Sequence, residues 1–122
     1  MPTESYILVI ADEGIIGLYL SKLLEDHGYR VTIAFNGEEA IVVYQDNSAD
    51  IVLVDLIMKG MDGVEIIREL RNLVPETKFI LLSGVNPEEL EQISHLIHVP
   101  YILSKPIEED ELMNAVTSIP NP

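Results

Sequence analysis

Four side chains in this sequence have types that could do chemistry together: Asp12, Asp55, Ser83 and Lys105. Two close carboxylates repel, and a hard divalent cation such as Mg²⁺ relieves that repulsion by taking oxygen ligands. An aspartate can act as a nucleophile and form an acyl phosphate. The group being transferred needs its equatorial oxygens neutralised, and a metal, an ammonium and a hydroxyl donor do so. In such a site Asp12 and Asp55 hold the metal, while Lys105 and Ser83 hold the remaining oxygens. Singly, each residue has a plainer role. An Asp or Ser after a strand usually serves a turn or cap, and a Lys before Pro is usually solvated. The weight lies in where the four fall relative to the elements that must position them.

Five short apolar runs recur: Tyr6 to Ile10, Val31 to Ala34, Ile51 to Val54, Phe79 to Leu82 and Tyr101 to Leu103. Three are near-continuous in hydrophobicity, as strands of a parallel sheet covered on both faces are. Helix-period stretches lie between them. Ile16, Leu20, Leu23 and Leu24 share one helical face, Gly28 follows as a stop, and Gly17 is the weak point of that helix. Asn36 is a candidate cap for a helix through Ala40, Ile41 and Tyr44. Asp62 is a candidate cap for another through Ile66, Ile67, Leu70 and Leu73. Asn86-Pro87 opens a fourth, with Leu90 and Ile93 on one face, and a fifth runs from about Glu108 with Leu112, Ala115 and Val116 inward. Strand and helix alternate five times, which predicts an open α/β sheet with right-handed crossovers.

Ligands bind beyond the carboxyl ends of the strands in such sheets. The first run ends in Ala11-Asp12-Glu13, the third in Asp55 and the fourth in Ser83-Gly84, while the fifth leads into Ser104-Lys105-Pro106. Two carboxylates, a hydroxyl and an ammonium therefore converge on one edge of an otherwise apolar sheet.

The 122 residues fit one domain, with a core from about 5 to 118, and 48% of them are hydrophobic. Aromatic residues are only 6%, so Ile, Leu and Val must build that core. The net charge of −14 argues against direct binding to DNA or RNA and favours cations. The clusters Glu88-Glu89-Glu91 and Glu108-Glu109-Asp110-Glu111 read as solvated helix faces. Cysteine is absent, which excludes a disulfide framework and a thiolate metal site. No apolar run approaches the roughly 20 residues of a membrane span, and the first residues lack the basic start of a secretory signal. A cytoplasmic protein with no membrane contact is expected.

The sequence resembles the receiver domains of bacterial two-component response regulators over nearly its whole length. Ile7 through Glu13 resembles the family's first strand and acidic pocket, and Asn36-Gly37-Glu38-Glu39-Ala40 its usual second-helix start. Asp50 through Gly63 is the most specific stretch and resembles the phosphoacceptor strand and the loop after it. Phe79 through Gly84 and Lys105-Pro106 complete the pattern. The resemblance implies a doubly wound five-stranded parallel sheet of the flavodoxin-like receiver kind, with helices on both faces and strand order 2-1-3-4-5. That order is known for the family and does not come from the spacing.

It also implies roles. Asp55 takes a phosphoryl group from a phosphohistidine on a sensor histidine kinase or a histidine phosphotransfer protein. Asp12 ligates Mg²⁺ by its side chain and Ile57 by its backbone carbonyl. Lys105 pairs with the phosphoryl group, and Ser83 hydrogen-bonds it and draws the following loop inward. Such a chain is a signalling phosphoacceptor that promotes only its own phosphorylation and dephosphorylation, so it is not an enzyme in the usual sense. The stretch from Ser83 to Pro106 lacks a Gly-Ala pair before the fifth strand and so resembles receivers joined to a sensor kinase. An attached kinase or output domain is compatible with this.

Three departures stand out. Ala11 replaces the first of two adjacent acids, which in the family commonly helps hold metal-bound water; Glu13 could compensate, but the expected reading is a helix-start acid facing solvent. Ile102 stands where the family usually has Tyr or Phe, and its neighbour Tyr101 must point to the other face. Lys59 stands where Pro is usual, which should only loosen the loop. His27, His95 and His98 lie at no strand's carboxyl end and are assigned to structure or surface; Met58 and Met61 are assigned to loop packing. Ala11 and Ile102 keep open a degenerate receiver that works as a phosphorylation-independent interaction module. An aspartyl phosphohydrolase would need a second acid two residues after Asp55, where Ile57 stands. A flavin-binding fold-mate would need a Ser/Thr/Gly-rich phosphate loop after the first strand.

Overall fold

A computed structural model describes residues 5–56, 58, 60, 62–84, 86–96, 99 and 101–118. In chain order the elements are β1 (Tyr6–Ile10), α1 (Gly14–Asp26), β2 (Arg30–Ala34), α2 (Gly37–Asp46), β3 (Ile51–Asp55), α3 (Gly63–Leu73), β4 (Lys78–Ser83), α4 (Pro87–Leu96), β5 (Tyr101–Ser104) and α5 (Glu109–Ser118). The strands form one parallel sheet in the order β2-β1-β3-β4-β5. This is the doubly wound order implied by the family resemblance.

The sheet separates two apolar layers because successive side chains on a strand point to opposite faces. Leu8, Ile10, Val52 and Val54 join Tyr44 of α2 and Ile66, Ile67 and Leu70 of α3 on one side, with Ile93 of α4 against them. Ile7, Val9, Ile51 and Leu53 join Leu20 and Leu24 of α1 and Leu112, Ala115 and Val116 of α5 on the other. Every residue of β1 and β3 is buried, which is why those runs carry no polar alternation. The edge strands β2 and β5 are less covered.

Local signals account for the helix ends. The Asn36 side chain accepts from the Glu39 amide at 2.8 Å, and Glu39 Oε1 accepts from the Phe35 amide at 3.0 Å. Asp62 accepts from the Glu65 amide at 3.0 Å, and Asn86 from the Glu89 amide at 2.9 Å. Each such cap stabilises its helix by about 1 kcal/mol. α1 closes on Gly28, whose φ of 92° turns the chain so that Gly28 N–H donates to Glu25 O and Tyr29 N–H to Leu24 O.

Gly17 does not weaken α1 idly. It is buried against β2, where a Cβ would meet Ile33 Cγ2 at 3.1 Å. Leu73 departs from expectation: it is 42% exposed, and Val74, four residues after Leu70, packs on the core instead. Val74 is the extended C-cap after α3, so the chain's exit from the helix, not the residue type, turns it inward.

Candidate functional site

Parallel strands all end at the same edge, so the polar residues that close β1, β3, β4 and β5 are brought together there. Asp55 is the last residue of β3 and is 1% exposed. The Lys105 ammonium, from the loop after β5, lies 2.8 Å from Asp55 Oδ2. Lys105 is held from its backbone as well, since its N–H donates to the Ser83 carbonyl at 2.8 Å. The Lys105–Pro106 peptide is cis. Ser83 closes β4 and is 1% exposed. The end of β3 is likewise tied to β4, with Leu56 N–H donating to Leu82 O at 2.9 Å.

Asp12, Glu13 and Asp55 each offer a carboxylate oxygen, and these lie within 4.8 Å of one another. Asp12 is half-buried and Glu13 is exposed at the N-terminus of α1. Among the described residues, three acids against one ammonium make a site that repels itself unless a cation is held there. An all-oxygen donor set of this kind suits a hard divalent ion and not a soft one. Glu13 is thus a helix-start acid, as the sequence indicated, but its carboxylate also belongs to the cluster. Its place one residue after Asp12 left that open without deciding it.

Gly63 is a second residue whose role the sequence concealed. Its N–H donates to Leu56 O at 2.9 Å, and a Cβ on it would stand 2.7 Å from the Asp55 carbonyl oxygen and 2.8 Å from Leu56 Cα. Only glycine lets the start of α3 close so tightly on the end of β3. Asp62 caps the same helix start, so cap and glycine together seat the backbone beneath Asp55.

Met58 is 8% exposed and packs in the core layer beneath α3, the loop-packing role expected of it. Ile57, expected to offer a backbone carbonyl to the metal, lies outside the described residues, as do Lys59, Met61 and His98. Ile102 packs with the layer of α2 and α3, and Tyr101 with that of α1 and α5, so the two neighbours do take opposite faces. His27 pairs with Glu109 at 3.0 Å on the surface, and His95 is exposed in the last turn of α4. Neither belongs to the acid cluster.

Beside Lys105, between α1 and the loop into α5, lies an open and mostly apolar cavity of about 580 Å³, lined in part by Ile16, Tyr19 and Ile107. Next to it on α1, Ile15 is 84% and Leu18 63% exposed. No helix among the described residues is long and apolar enough to cross a membrane.

The family model for the response regulator receiver domain matches residues 7–117. The chain is 31% identical over 110 residues to the response regulator receiver protein CpdR of Brucella abortus, covering 90% of this chain and 92% of that protein. It is 32% identical over 112 residues to the uncharacterized transcriptional regulatory protein YkoG of Bacillus subtilis, covering 90% of this chain but only 48% of YkoG. It also matches the sensor kinase CckA of Brucella abortus, 36% identical over 80 residues, which is 64% of this chain and 8% of that one. Among solved structures, the receiver domain of the Francisella response regulator 1452 superposes with a TM-score of 0.85 at 28% identity, covering 94% of this chain and 95% of that one. A match over nearly the whole chain, on a sheet whose carboxyl edge gathers the acids and the lysine, makes this chain a member of the response regulator receiver domains, the phosphorylation-driven signalling modules of two-component systems.

Proposed function

We propose that Asp55 is the phosphoacceptor of this receiver and that Lys105, Ser83 and Asp12 are its working partners. The observation that carries this is the contact of Lys105 Nζ with Oδ2 of the buried Asp55 at 2.8 Å, beside the Asp12 carboxylate. The donor is a phosphohistidine on a sensor histidine kinase or a histidine phosphotransfer protein. An Asp55 carboxylate oxygen forms the new P–O bond as the N–P bond breaks. The electron pair of that bond stays on the imidazole nitrogen. Lys105 neutralises charge on the phosphoryl oxygens, and the Ser83 hydroxyl, from the neighbouring strand end, donates to one of them. Asp12 and Asp55 would hold Mg²⁺, with Ile57 contributing a carbonyl. Bound there, Mg²⁺ supplies positive charge that offsets both the acids and the transferring group.

Added charge at Asp55 then biases the loop after β4, anchored through Ser83 to Lys105, and so the surface of α4 and β5. The exposed Ile15 and Leu18 beside the site offer an apolar seat for the donor protein. The chain drives only its own phosphorylation and dephosphorylation, and we place it in the cytoplasm. A sensor kinase and a longer regulator among its relatives support a place next to kinase or output domains. The alternative of a phosphorylation-independent interaction module, raised by Ala11 and Ile102, is not favoured, because Asp12, Asp55, Ser83 and Lys105 are all present. Incubation with Mg²⁺ and acetyl phosphate, followed by intact mass, tests the proposal. One base-labile phosphate adduct should form on the wild type and none on Asp55→Asn. An adduct on Asp55→Asn, or none on the wild type, sinks it.

A further inference from the structure

We infer that Glu13 supplies, from the residue after Asp12, the metal-site carboxylate that receiver domains usually carry on the residue before it. This rests on the phosphoacceptor site proposed above and changes which residues build it. Position 11 is closed to such a role. Ala11 is fully buried, its N–H donates to Ala34 O at 3.1 Å, and its side chain is a methyl group. The chain therefore continues along the ladder from β1 at that point and presents no side-chain oxygen there.

Glu13 offers what is missing. It stands at the N-cap of α1 in extended conformation, with φ −91° and ψ 110°. A short polar side chain at that position accepts from an amide of the first turn, as Asp62 does on α3 and Asn36 on α2. Glu13 makes no such cap bond. Its carboxylate instead falls within 4.8 Å of those of Asp12 and Asp55. Bringing a third acid beside two others is unfavourable by Coulomb repulsion alone, and Glu13 is exposed, so solvent was open to it. A hard divalent cation reverses the sign of that interaction, directly or through a metal-bound water. The extra methylene of Glu over Asp provides the reach back from the helix start.

Calorimetric titration of the full chain with MgCl₂ tests this without reference to phosphorylation. Four proteins are compared: wild type, Glu13→Gln, Asp12→Asn and Glu76→Gln. Glu76 is exposed in the α3–β4 loop, at the opposite ends of the strands, and controls for the loss of one negative charge. Loss of a supporting group at a metal site typically weakens affinity about 10–100-fold. We expect Glu13→Gln to fall in that range, Asp12→Asn to abolish binding and Glu76→Gln to match the wild type within about twofold. Melting curves without Mg²⁺ should not fall in Glu13→Gln and should rise slightly, since the change removes one like charge from the cluster and the amide stays on the surface. If Glu13→Gln binds as the wild type does while Asp12→Asn does not bind, the inference falls and the phosphoacceptor site stands. If Glu76→Gln weakens binding as much as Glu13→Gln, the effect is net charge and the inference falls again. If Asp12→Asn binds normally, the site itself is wrong and both fall.

Discussion

Lys105 joins Asp55 to the end of β4: its ammonium lies 2.8 Å from Asp55 Oδ2, and its backbone N–H donates to the carbonyl of Ser83, next to the β4 residues that pair with Asp55's strand. The charge partner of the buried acid is thereby fixed to the strand whose end carries the hydroxyl. We expect a change at Asp55 to reach Lys105 and, through its backbone, the loop after β4.

Lys105→Ala should separate the two duties. Phosphoryl uptake from acetyl phosphate should slow by about a hundredfold or more, the usual effect of removing one donor from a developing anion. Breaking a fully buried ion pair costs about 3–5 kcal/mol. The Lys105 side chain is 26% exposed, so solvent replaces part of what it gave and a loss of about 1–3 kcal/mol is expected. Urea unfolding measures the second effect. A variant with unchanged uptake would remove Lys105 from the chemistry.

Gly63→Ala places a Cβ 2.7 Å from the Asp55 carbonyl oxygen, and a backbone atom cannot step aside as a flexible side chain does. We expect a loss of about 1–3 kcal/mol in urea, the usual range for overpacking. Slower phosphorylation should accompany it, because the end of β3 must shift. Stability and rate both at wild-type level would show that α3 can retreat without disturbing Asp55.

Mg²⁺ should raise the melting temperature of the wild type. A ligand that binds only the folded state at 100 times its Kd adds about 2.7 kcal/mol. Asp12→Asn should melt at the same temperature with or without the ion. Equal shifts in the two proteins would place the binding elsewhere.

Tyr44 sets an alkaline limit. Its phenol is buried and paired with the Thr77 hydroxyl. Burial, with Glu76 and Asp50 adding like-charge repulsion, pushes its pKa up from 10.0 to about 12. The folded state therefore holds the phenolic proton more tightly than the unfolded chain does. That contribution to stability is complete below pH 10.0 and is lost as pH rises from 10.0 through about 12. Urea unfolding across that window should show a fall in the wild type that is smaller in Tyr44→Phe. Parallel curves would assign the alkaline loss to other groups.

Much of this was legible from residue types. Runs with no polar face, such as Ile51 to Val54, have to be covered on both sides, and their alternation with helix-period stretches points to a parallel sheet between helices. Asn36, Asp62 and Asn86 announce their helices because a short polar side chain can accept from an amide three residues on. Asp12, Asp55, Ser83 and Lys105 could be placed at one edge because parallel strands must all end on the same side. These are local or topological constraints, and the chain expresses them in its order of residues.

Other features waited for the tertiary structure. Whether Leu73 or Val74 turns inward depends on where the chain leaves α3 for its extended C-cap. Gly63 is required by the distance between the start of α3 and the end of β3, which sequence separation does not state. Glu13 has the same neighbours in the chain whether it faces water or Asp55. Only the approach of β1 to β3 brings its carboxylate to the cluster. The sequence alone thus determined which groups stand at the functional edge, because strand direction and residue type suffice for that. Their mutual distances, and hence which acids act together, were decided by packing between elements far apart in the chain.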